Sequence, residues 1–484
     1  MAHVLISAAH KSSGKTTVSI GLCAALVARG RVVQPFKKGP DYIDPMWLGR
    51  AAARPCHNLD FYTMGTEEIL VALARRSSGA DVALIEGNKG LYDGLDLDGS
   101  NSNAALAKLC GAPVVLVIDA RGMTRGIAPL ILGYQAFDLQ VRIAGVILNQ
   151  LGGHRHESKL RAVIEHYTDV PVLGALHRDP TLAVTERHLG LMTSAEHTDA
   201  DGQIARIADA VATQVDLERL LAVASTATFP GVNVAPLPAV RTRDVRVGIA
   251  RDDAFGFYYP GDLEALERAG AELVFIDTLR DTRLPPLDAL FIGGGFPENR
   301  MEALEANRSL RAAIRTHIEA GLPAYAECGG LMYLARTLSW SGRCYEMVGV
   351  IPGDIVMHQR PQGRGYVRLQ ETASAPWPST AGAPMAREIR AHEFHYSSLE
   401  NLEPPVTFAY RVLRGQGVDG KHDGIVYKNL LACYAHLRDV EDNRWTRRFV
   451  DFARSHRCSA AFRARDTTAI GESSLPPPAK GIRS

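Results

Sequence analysis

The sequence predicts an α/β protein of two domains: a parallel-sheet domain entered through a P-loop, then a second α/β domain organised around a cysteine at a strand-to-helix turn. Three observations predict it. Short β-rich runs alternate with helical stretches through the first 225 residues; small residues and prolines then interrupt them; and a fresh alternation starts at Val245. At 484 residues the chain is also well past the length of one ordinary domain.

In chain order, residues 4–6 read as the first strand, followed by a turn and a helix over about 16–28. Residues 32–36 read as the second strand, and 82–85, 114–118 and 144–148 as further short apolar runs ending in polar residues or glycine. Such strands, with helices between them, form mostly parallel sheets covered on both faces. The expected boundaries are 1–225 for the first domain, 226–244 for a linker carrying Pro230, Pro236 and Pro238, and 245–452 for the second domain. There, 245–250, 273–276, 290–292 and 324–326 read as strands and 263–269 as a helix. Residues 459–484, with Pro476, Pro477, Pro478 and many polar side chains, read as a disordered tail.

Composition narrows the function classes. Hydrophobic residues make up 46% and charged residues 22%, as in chains with large buried cores, and the formal net charge is +1. That balance predicts neither nucleic acid nor an anionic membrane surface as a partner. No window approaches the ~20 apolar residues of a membrane span, and the N-terminal apolar run is too short for a signal peptide. Seven cysteines without CxxC or Cys/His metal spacing fit a reduced, cytoplasmic setting.

The first motif runs Ala9-His10-Lys11-Ser12-Ser13-Gly14-Lys15-Thr16-Thr17 between a strand and a helix. Backbone N–H groups and a helix N-terminus surround phosphates in such a loop, Lys15 reaches the β- and γ-phosphates, and the Thr16 hydroxyl meets Mg²⁺. The pattern ordinarily starts with glycine, where Ala9 stands. Glu86, at the carboxyl edge of the sheet, is the leading Mg²⁺ candidate. Asp41 and Asp44 are candidates to bind metal or place an acceptor, with turn and helix-cap carboxylates as the competing reading. Asp93 is a further candidate, set against ordinary Asp-Gly turn chemistry.

The second motif is Ala324-Tyr325-Ala326-Glu327-Cys328-Gly329-Gly330 before an apolar helical run. A sharp turn exposes the sulfur, a helix N-terminus lowers its pKa, and Gly329 leaves room for a backbone donor to an oxyanion. Gly294 and Gly295, after another strand, offer further donors. His436 is the expected base, with His392 and His395 as rivals. The competing reading of Cys328 is a buried structural thiol.

With these residues in place, the chain resembles the cobyrinic acid a,c-diamide synthase family from Met1 to about Asp451. Its most specific segments are 35–45 (Pro-Phe-Lys-Lys-Gly-Pro-Asp-Tyr-Ile-Asp-Pro), Asn58-Leu59-Asp60, 391–397 and 429–436. The resemblance implies a dethiobiotin-synthetase-like ATP domain joined to a class I glutamine amidotransferase-like domain. It implies ATP and Mg²⁺ as cofactors, and glutamine and a cobyrinate-like modified tetrapyrrole as partners. Cys328 is then the nucleophile of glutamine hydrolysis and His436 raises its nucleophilicity. Ammonia passes to the first domain, where ATP phosphorylates an acetate side-chain carboxylate, a or c, and ammonia attacks the acyl phosphate. Gly14, Lys15, Thr16 and Thr17 serve ATP, and Thr16, Asp41 and Glu86 serve the metal. Asp44 and Asp93 serve the acceptor, and Asn149 stands where related ATPases recognise adenine.

Two departures from the family pattern stand out. Arg438 occupies the position two after the histidine, where the usual triad carries an acid, so another group orients the imidazole or the site is a dyad. Asn88-Lys89 and Thr124-Arg125 add positive charge to loops expected near the acceptor and resemble sirohaem-amidating (DsrN-type) relatives. Sirohydrochlorin or sirohaem is therefore the alternative acceptor. The alternative of another class is a P-loop regulatory ATPase with an inactive glutaminase-like binding domain. A homodimer is compatible with either.

Overall fold

A computed structural model of the chain describes residues 1–457 apart from 185, 188–189, 195, 198, 237–241 and 378–386. The expected tail lies outside the described residues, as does part of the expected linker. Among the described residues of 226–244 there is no regular element.

The first half forms a seven-stranded sheet: β1 (His3–Ala8), β2 (Val33–Lys38), β3 (His57–Leu59), β4 (Val82–Glu86), β5 (Val114–Asp119), β6 (Ile143–Leu151) and β7 (Val172–His177). Their order is β3-β2-β4-β1-β5-β6-β7 and every pairing is parallel. Period-two alternation sends Leu5, Phe36, Ile85 and Leu116 into one core, and Val4, Ile6, Leu84 and Val115 into another on the opposite face. Both faces are thus covered, as the continuous apolar runs predict. Helix α1 (Lys15–Ala28) follows β1, and α2 (Ile43–Ala52) follows β2.

Several strands outrun their expected ends. β2 continues to Lys38 and β4 to Glu86 because Lys37 and Glu86 are register partners whose charges meet at 3.2 Å inside the protein. β6 likewise runs on, so Asn149 lies within it rather than beyond it.

The second half forms a nine-stranded sheet: β8 (Val245–Ala250), β9 (Ala271–Ile276), β10 (Ala289–Ile292), β11 (Ala324–Glu327), β12 (Gly363–Glu371), β13 (Glu388–His395), β14 (Thr407–Arg414), β15 (His422–Tyr427) and β16 (Leu430–Cys433). The order is β9-β8-β10-β11-β16-β15-β14-β12-β13. The first five are parallel, and from β16 onward each neighbour is antiparallel. This antiparallel arm is absent from the expectations above. β12 buries alternate residues, whereas β13 buries Ala391, His392 and Glu393 in a row and β14 buries Ala409 and Tyr410; charged and polar side chains fall among them, so no long apolar run marks these strands.

The halves meet through side chains from both. Arg438 Nη2 donates to the Asn58 carbonyl at 2.5 Å, Tyr366 Oη to Asp60 at 2.5 Å, and Tyr62 Oη to the Val367 carbonyl at 3.1 Å. No helix among the described residues is long and apolar enough to cross a membrane. The six described cysteines are all free thiols.

Candidate active site

At one end of the site the turn after β1 wraps toward the N-terminus of α1. Its left-handed backbone positions fall on Ser12 (φ 67°) and Gly14 (φ 84°), not on Ala9, so the missing first glycine costs the loop nothing. Ala9 instead turns its carbonyl to Tyr134 Oη. Asn149, expected to meet adenine, donates Nδ2 to the Ser13 carbonyl at 2.9 Å and braces the loop. It sits so close that a Cβ at residue 14 would come within 2.0 Å of Nδ2, a second reason for Gly14.

Beneath the loop, four oxygen-bearing side chains converge on two lysines. Lys15 Nζ lies 3.1 Å from Glu86 Oε1, and the Thr16 hydroxyl donates to the same oxygen at 2.7 Å and to Asp44 Oδ2 at 3.3 Å. Lys37, which sequence reasoning missed, contacts Asp44, Glu86 at 3.2 Å and Asp41 at 3.7 Å. Burial works to lower the Lys37 pKa, but Asp44, Glu86 and Asp41 hold it well above the ordinary lysine value. Asp44 is pressed upward by burial yet kept below its ordinary value by Lys37 and Lys15. Asp41, pushed up first by burial and next by Asp44, rises to about 7. Removing one partner of a buried charge set costs about 3–5 kcal/mol, so Lys37 keeps the carboxylates in place. Asp41 Oδ1 also accepts from Ile43 N and Asp44 N, so the helix-cap reading holds for one oxygen while the other faces Lys37. Asp93 accepts from Gly90 N at 2.9 Å and so closes a turn as well as lining the site.

At the other end Cys328 stands at φ 47°, ψ −102°, between β11 and the helix Gly329–Leu334. An L-residue is held there only because its surroundings enforce it. Gly330 allows the tight turn: a Cβ would come within 2.2 Å of the Ile292 carbonyl oxygen. A Cβ on Gly294 would strike the His436 ring at 2.6 Å, and one on Gly329 would come within 3.0 Å of Gly295 N, so the three glycines and the imidazole crowd together. The expected lowering of the thiol pKa is not found. Burial, then Glu298 and Glu327, push it far up, and a helix of only six residues offers little dipole against that. The thiol's hydrogen bond goes to the Phe394 carbonyl at 3.9 Å.

His436 Nδ1 lies 3.4 Å from Glu327 Oε2, and both side chains are almost wholly buried. Glu327 is itself fixed through Oε1, which accepts from Tyr325 Oη at 2.5 Å and Leu437 N at 2.8 Å. The rival histidines are occupied otherwise. His392 stacks on His436 at 4.8 Å and is driven well below its ordinary pKa by burial, then by His436 and Arg438. His395 stacks on Tyr434 at 3.9 Å and bonds the Ser397 carbonyl through Nδ1 at 2.8 Å.

One cavity of ≈ 1240 Å³ joins the two ends. Gly14, Lys15, Thr16, Thr17, Asp41, Asp44, Asp93 and Asn149 line it from the first half; Gly295, Cys328 and His436 line it from the second. Tyr42, between the two aspartates of the first half, packs on Phe257 at 5.2 Å and on the His436 ring at 5.2 Å.

Residues 246–443 match the CobB/CobQ-like glutamine amidotransferase domain and residues 2–186 match an AAA domain. A cobyrinate a,c-diamide synthase of Magnetococcus marinus is 48% identical over 448 residues, covering 91% of this chain and 95% of that protein. The chain belongs to the cobyrinate a,c-diamide synthase family. Proteins of the same name from Methanosarcina acetivorans and Archaeoglobus fulgidus are each 42% identical, covering 95% and 92% of this chain and 96% of their own lengths.

Both sequence departures of this family member take on a physical meaning. Arg438 is engaged with the first half: its guanidinium lies over the Tyr259 ring at 4.9 Å and donates to the Asn58 carbonyl. The acid beside the imidazole is Glu327, next to Cys328 rather than two residues after the histidine. Lys89 lines the cavity, as expected. Arg125 does not; it lies over the Tyr167 ring at 5.2 Å, outside the cavity lining, so one of the two features that pointed to a sirohaem-type acceptor has no place beside the site.

Proposed function

We propose that the chain amidates the a and c acetate side-chain carboxylates of a cobyrinate-like modified tetrapyrrole, using ATP to activate them and glutamine as the nitrogen source. The observation that carries this reading is the single cavity with Lys15 at one end and Cys328 at the other. The working units are an ATP-dependent domain at 1–225, a linker at 226–244 and a glutaminase domain at 245–452.

In the glutaminase half, Cys328 Sγ attacks the carboxamide carbon of glutamine. With Nδ1 turned to Glu327, Nε2 of His436 is left to accept the thiol proton, and it returns that proton to the departing nitrogen. Ammonia therefore leaves uncharged. Backbone N–H groups among Gly294, Gly295 and Gly329 take the oxygen of the tetrahedral intermediate, and water then releases glutamate from the thioester.

In the other half, a carboxylate oxygen of the acceptor displaces ADP from the γ-phosphorus. Gly14, Lys15, Thr16 and Thr17 hold the phosphates, Lys15 offsets the charge that builds on them, and Asp44 and Asp93 face the acceptor. Thr16, Asp41 and Glu86 fit Mg²⁺: Glu86 Oε2 is buried with no hydrogen-bond partner, beside a hydroxyl and further carboxylates, which is a hard oxygen set. The ion would supply Lewis-acid neutralisation of the phosphate oxygens. Ammonia arriving through the cavity attacks the acyl carbon, and phosphate leaves.

Incubating the protein with cobyrinate, ATP, Mg²⁺ and glutamine tests the reading by mass spectrometry. The expected products have one and then two carboxylates replaced by carboxamides. Amidation of sirohydrochlorin or sirohaem with cobyrinate left untouched would overturn the choice of acceptor.

A further inference from the structure

The antiparallel arm of the second sheet carries an arginine face that the chemistry above does not use. Along β12, Arg364, Tyr366 and Arg368 share one side of the strand; Arg390 on β13 and Arg414 on β14 are both register partners of Arg368. All four arginines are exposed. Like charges set directly opposite across a sheet repel one another. Among the four, Arg368 alone has a recorded acidic partner, Glu388 at 3.6 Å, in an exposed pair worth little. The chain as a whole is nearly neutral, so the concentration of charge is local and not a reflection of composition.

This face looks into the site. Arg364, Tyr366 and Arg414 line the shared cavity, while Arg368 and Arg390 extend the same face outward from its rim. Tyr62 of the first half stacks on Tyr366 at 4.3 Å, with the Arg390 and Arg414 guanidinium groups 5.9 and 6.0 Å from its ring centroid. The repulsion is thereby fixed at the seam between the halves, where a polyanion would relieve it.

We infer that this arginine face of the glutaminase half binds the non-reacting carboxylates of the acceptor macrocycle, so that each half supplies part of the acceptor site. The inference rests on the reading of the acceptor as a polycarboxylate tetrapyrrole. One acetate at a time reaches the phosphate end, and the others remain ionised and need cations. Planar guanidinium forks pair with carboxylates through two parallel hydrogen bonds, which fixes the orientation of the ring as well as holding it. Which acetate is presented then depends on how the remaining ones lie across Arg364, Arg390 and Arg414.

The test compares wild type with Arg390→Gln/Arg414→Gln and with the charge-keeping Arg390→Lys/Arg414→Lys. In the glutamine variant KM for cobyrinate rises about tenfold or more while KM for ATP moves less than about twofold, and the lysine variant recovers part of the loss without restoring the order of amidation. A cobyrinate KM within about twofold of wild type, or an equal rise in the KM for ATP, overturns the inference. Equilibrium binding of cobyrinate and of uroporphyrin, followed by quenching of protein fluorescence, separates this inference from the reading beneath it. If wild type fails to amidate cobyrinate, that reading falls by itself. The arginine face then stands if wild type binds either macrocycle and the glutamine variant loses that binding, and it falls if both proteins bind alike or neither binds.

Discussion

The two ends of the cavity are built on opposite electrostatic plans. At the phosphate end, buried charges are gathered and balanced: Lys15 and Lys37 stand among Asp41, Asp44 and Glu86. At the thiol end, the reacting groups themselves are kept uncharged beside one buried carboxylate, Glu327. Burial holds Cys328 protonated and His392 neutral, and the aromatic rings of Tyr42 and Tyr259 pack on the imidazoles. A charged, many-oxygen transition state is served by preset charges. Making uncharged ammonia is served by burial, which disfavours the charged forms of thiol, imidazole and ammonium. The contrast is what a division of labour between phosphoryl transfer and nitrogen delivery requires.

Each end can be disabled separately. Cys328→Ser lowers glutamine-dependent amidation by about 10³-fold or more, while amidation driven by added ammonium chloride stays within about twofold of wild type. Loss of both activities together would mean that the two ends are not independent. Lys15→Ala does the reverse: amidation falls by about 10²–10³-fold with either nitrogen source, and glutamate release persists. Initial rates of glutamate and amide formation, measured side by side, read both outcomes.

Smaller effects sharpen the contrast. Glu327→Gln keeps the shape beside His436 but removes the charge that steadies an imidazolium, so glutaminase kcat drops about 10- to 100-fold with little change in the KM for glutamine. An unchanged kcat would leave His436 working without a third group. Asp41 gives the smallest effect. Its carboxyl, raised to about 7, holds a proton below that pH which a bound cation must displace. Apparent Mg²⁺ affinity therefore falls as pH drops from 8 to 6, by up to about tenfold per unit, and the slope flattens in Asp41→Asn. A wild-type slope already flat over that range would contradict the assignment of Asp41.

The thiol end also differs in how it becomes reactive. With the thiol pKa pushed up by burial, then by Glu298 and Glu327, the resting enzyme holds little thiolate near neutrality. Alkylation by iodoacetamide is expected to accelerate steadily as pH rises past 9. A plateau near pH 7 would show instead a preformed thiolate–imidazolium pair.

How much of this could be read in the sequence also differs between the ends. The phosphate loop is a contiguous stretch, so strand, turn and helix declare themselves together, and Ala9 proved harmless because the left-handed positions are Ser12 and Gly14. Lys37 escaped notice because a lysine at the end of an apolar run reads as the strand's exit to solvent. Its burial depends on three carboxylates that come from a loop, a helix and another strand. At the thiol end Cys328 and His436 stood out in the sequence and line one cavity, but the acid beside the imidazole did not stand out. Family habit placed an acid after the histidine, whereas Glu327 sits before the cysteine. The signal was available, since an acidic residue closing a buried strand is what singled out Glu86. The antiparallel arm, with charged and polar side chains set among its buried residues, gave no long apolar run to recognise, and the arginine face it carries exists only through register.

The central claim is that nitrogen freed at Cys328 reaches the activated carboxylate without leaving the protein. Amidation run with glutamine labelled with ¹⁵N at the amide, in the presence of unlabelled ammonium kept below the concentration that supports amidation by itself, measures this directly through the isotope content of the product. The expected result is a product carrying nearly the full label of the glutamine supplied. A product whose label matches the diluted bulk pool would contradict passage through the cavity.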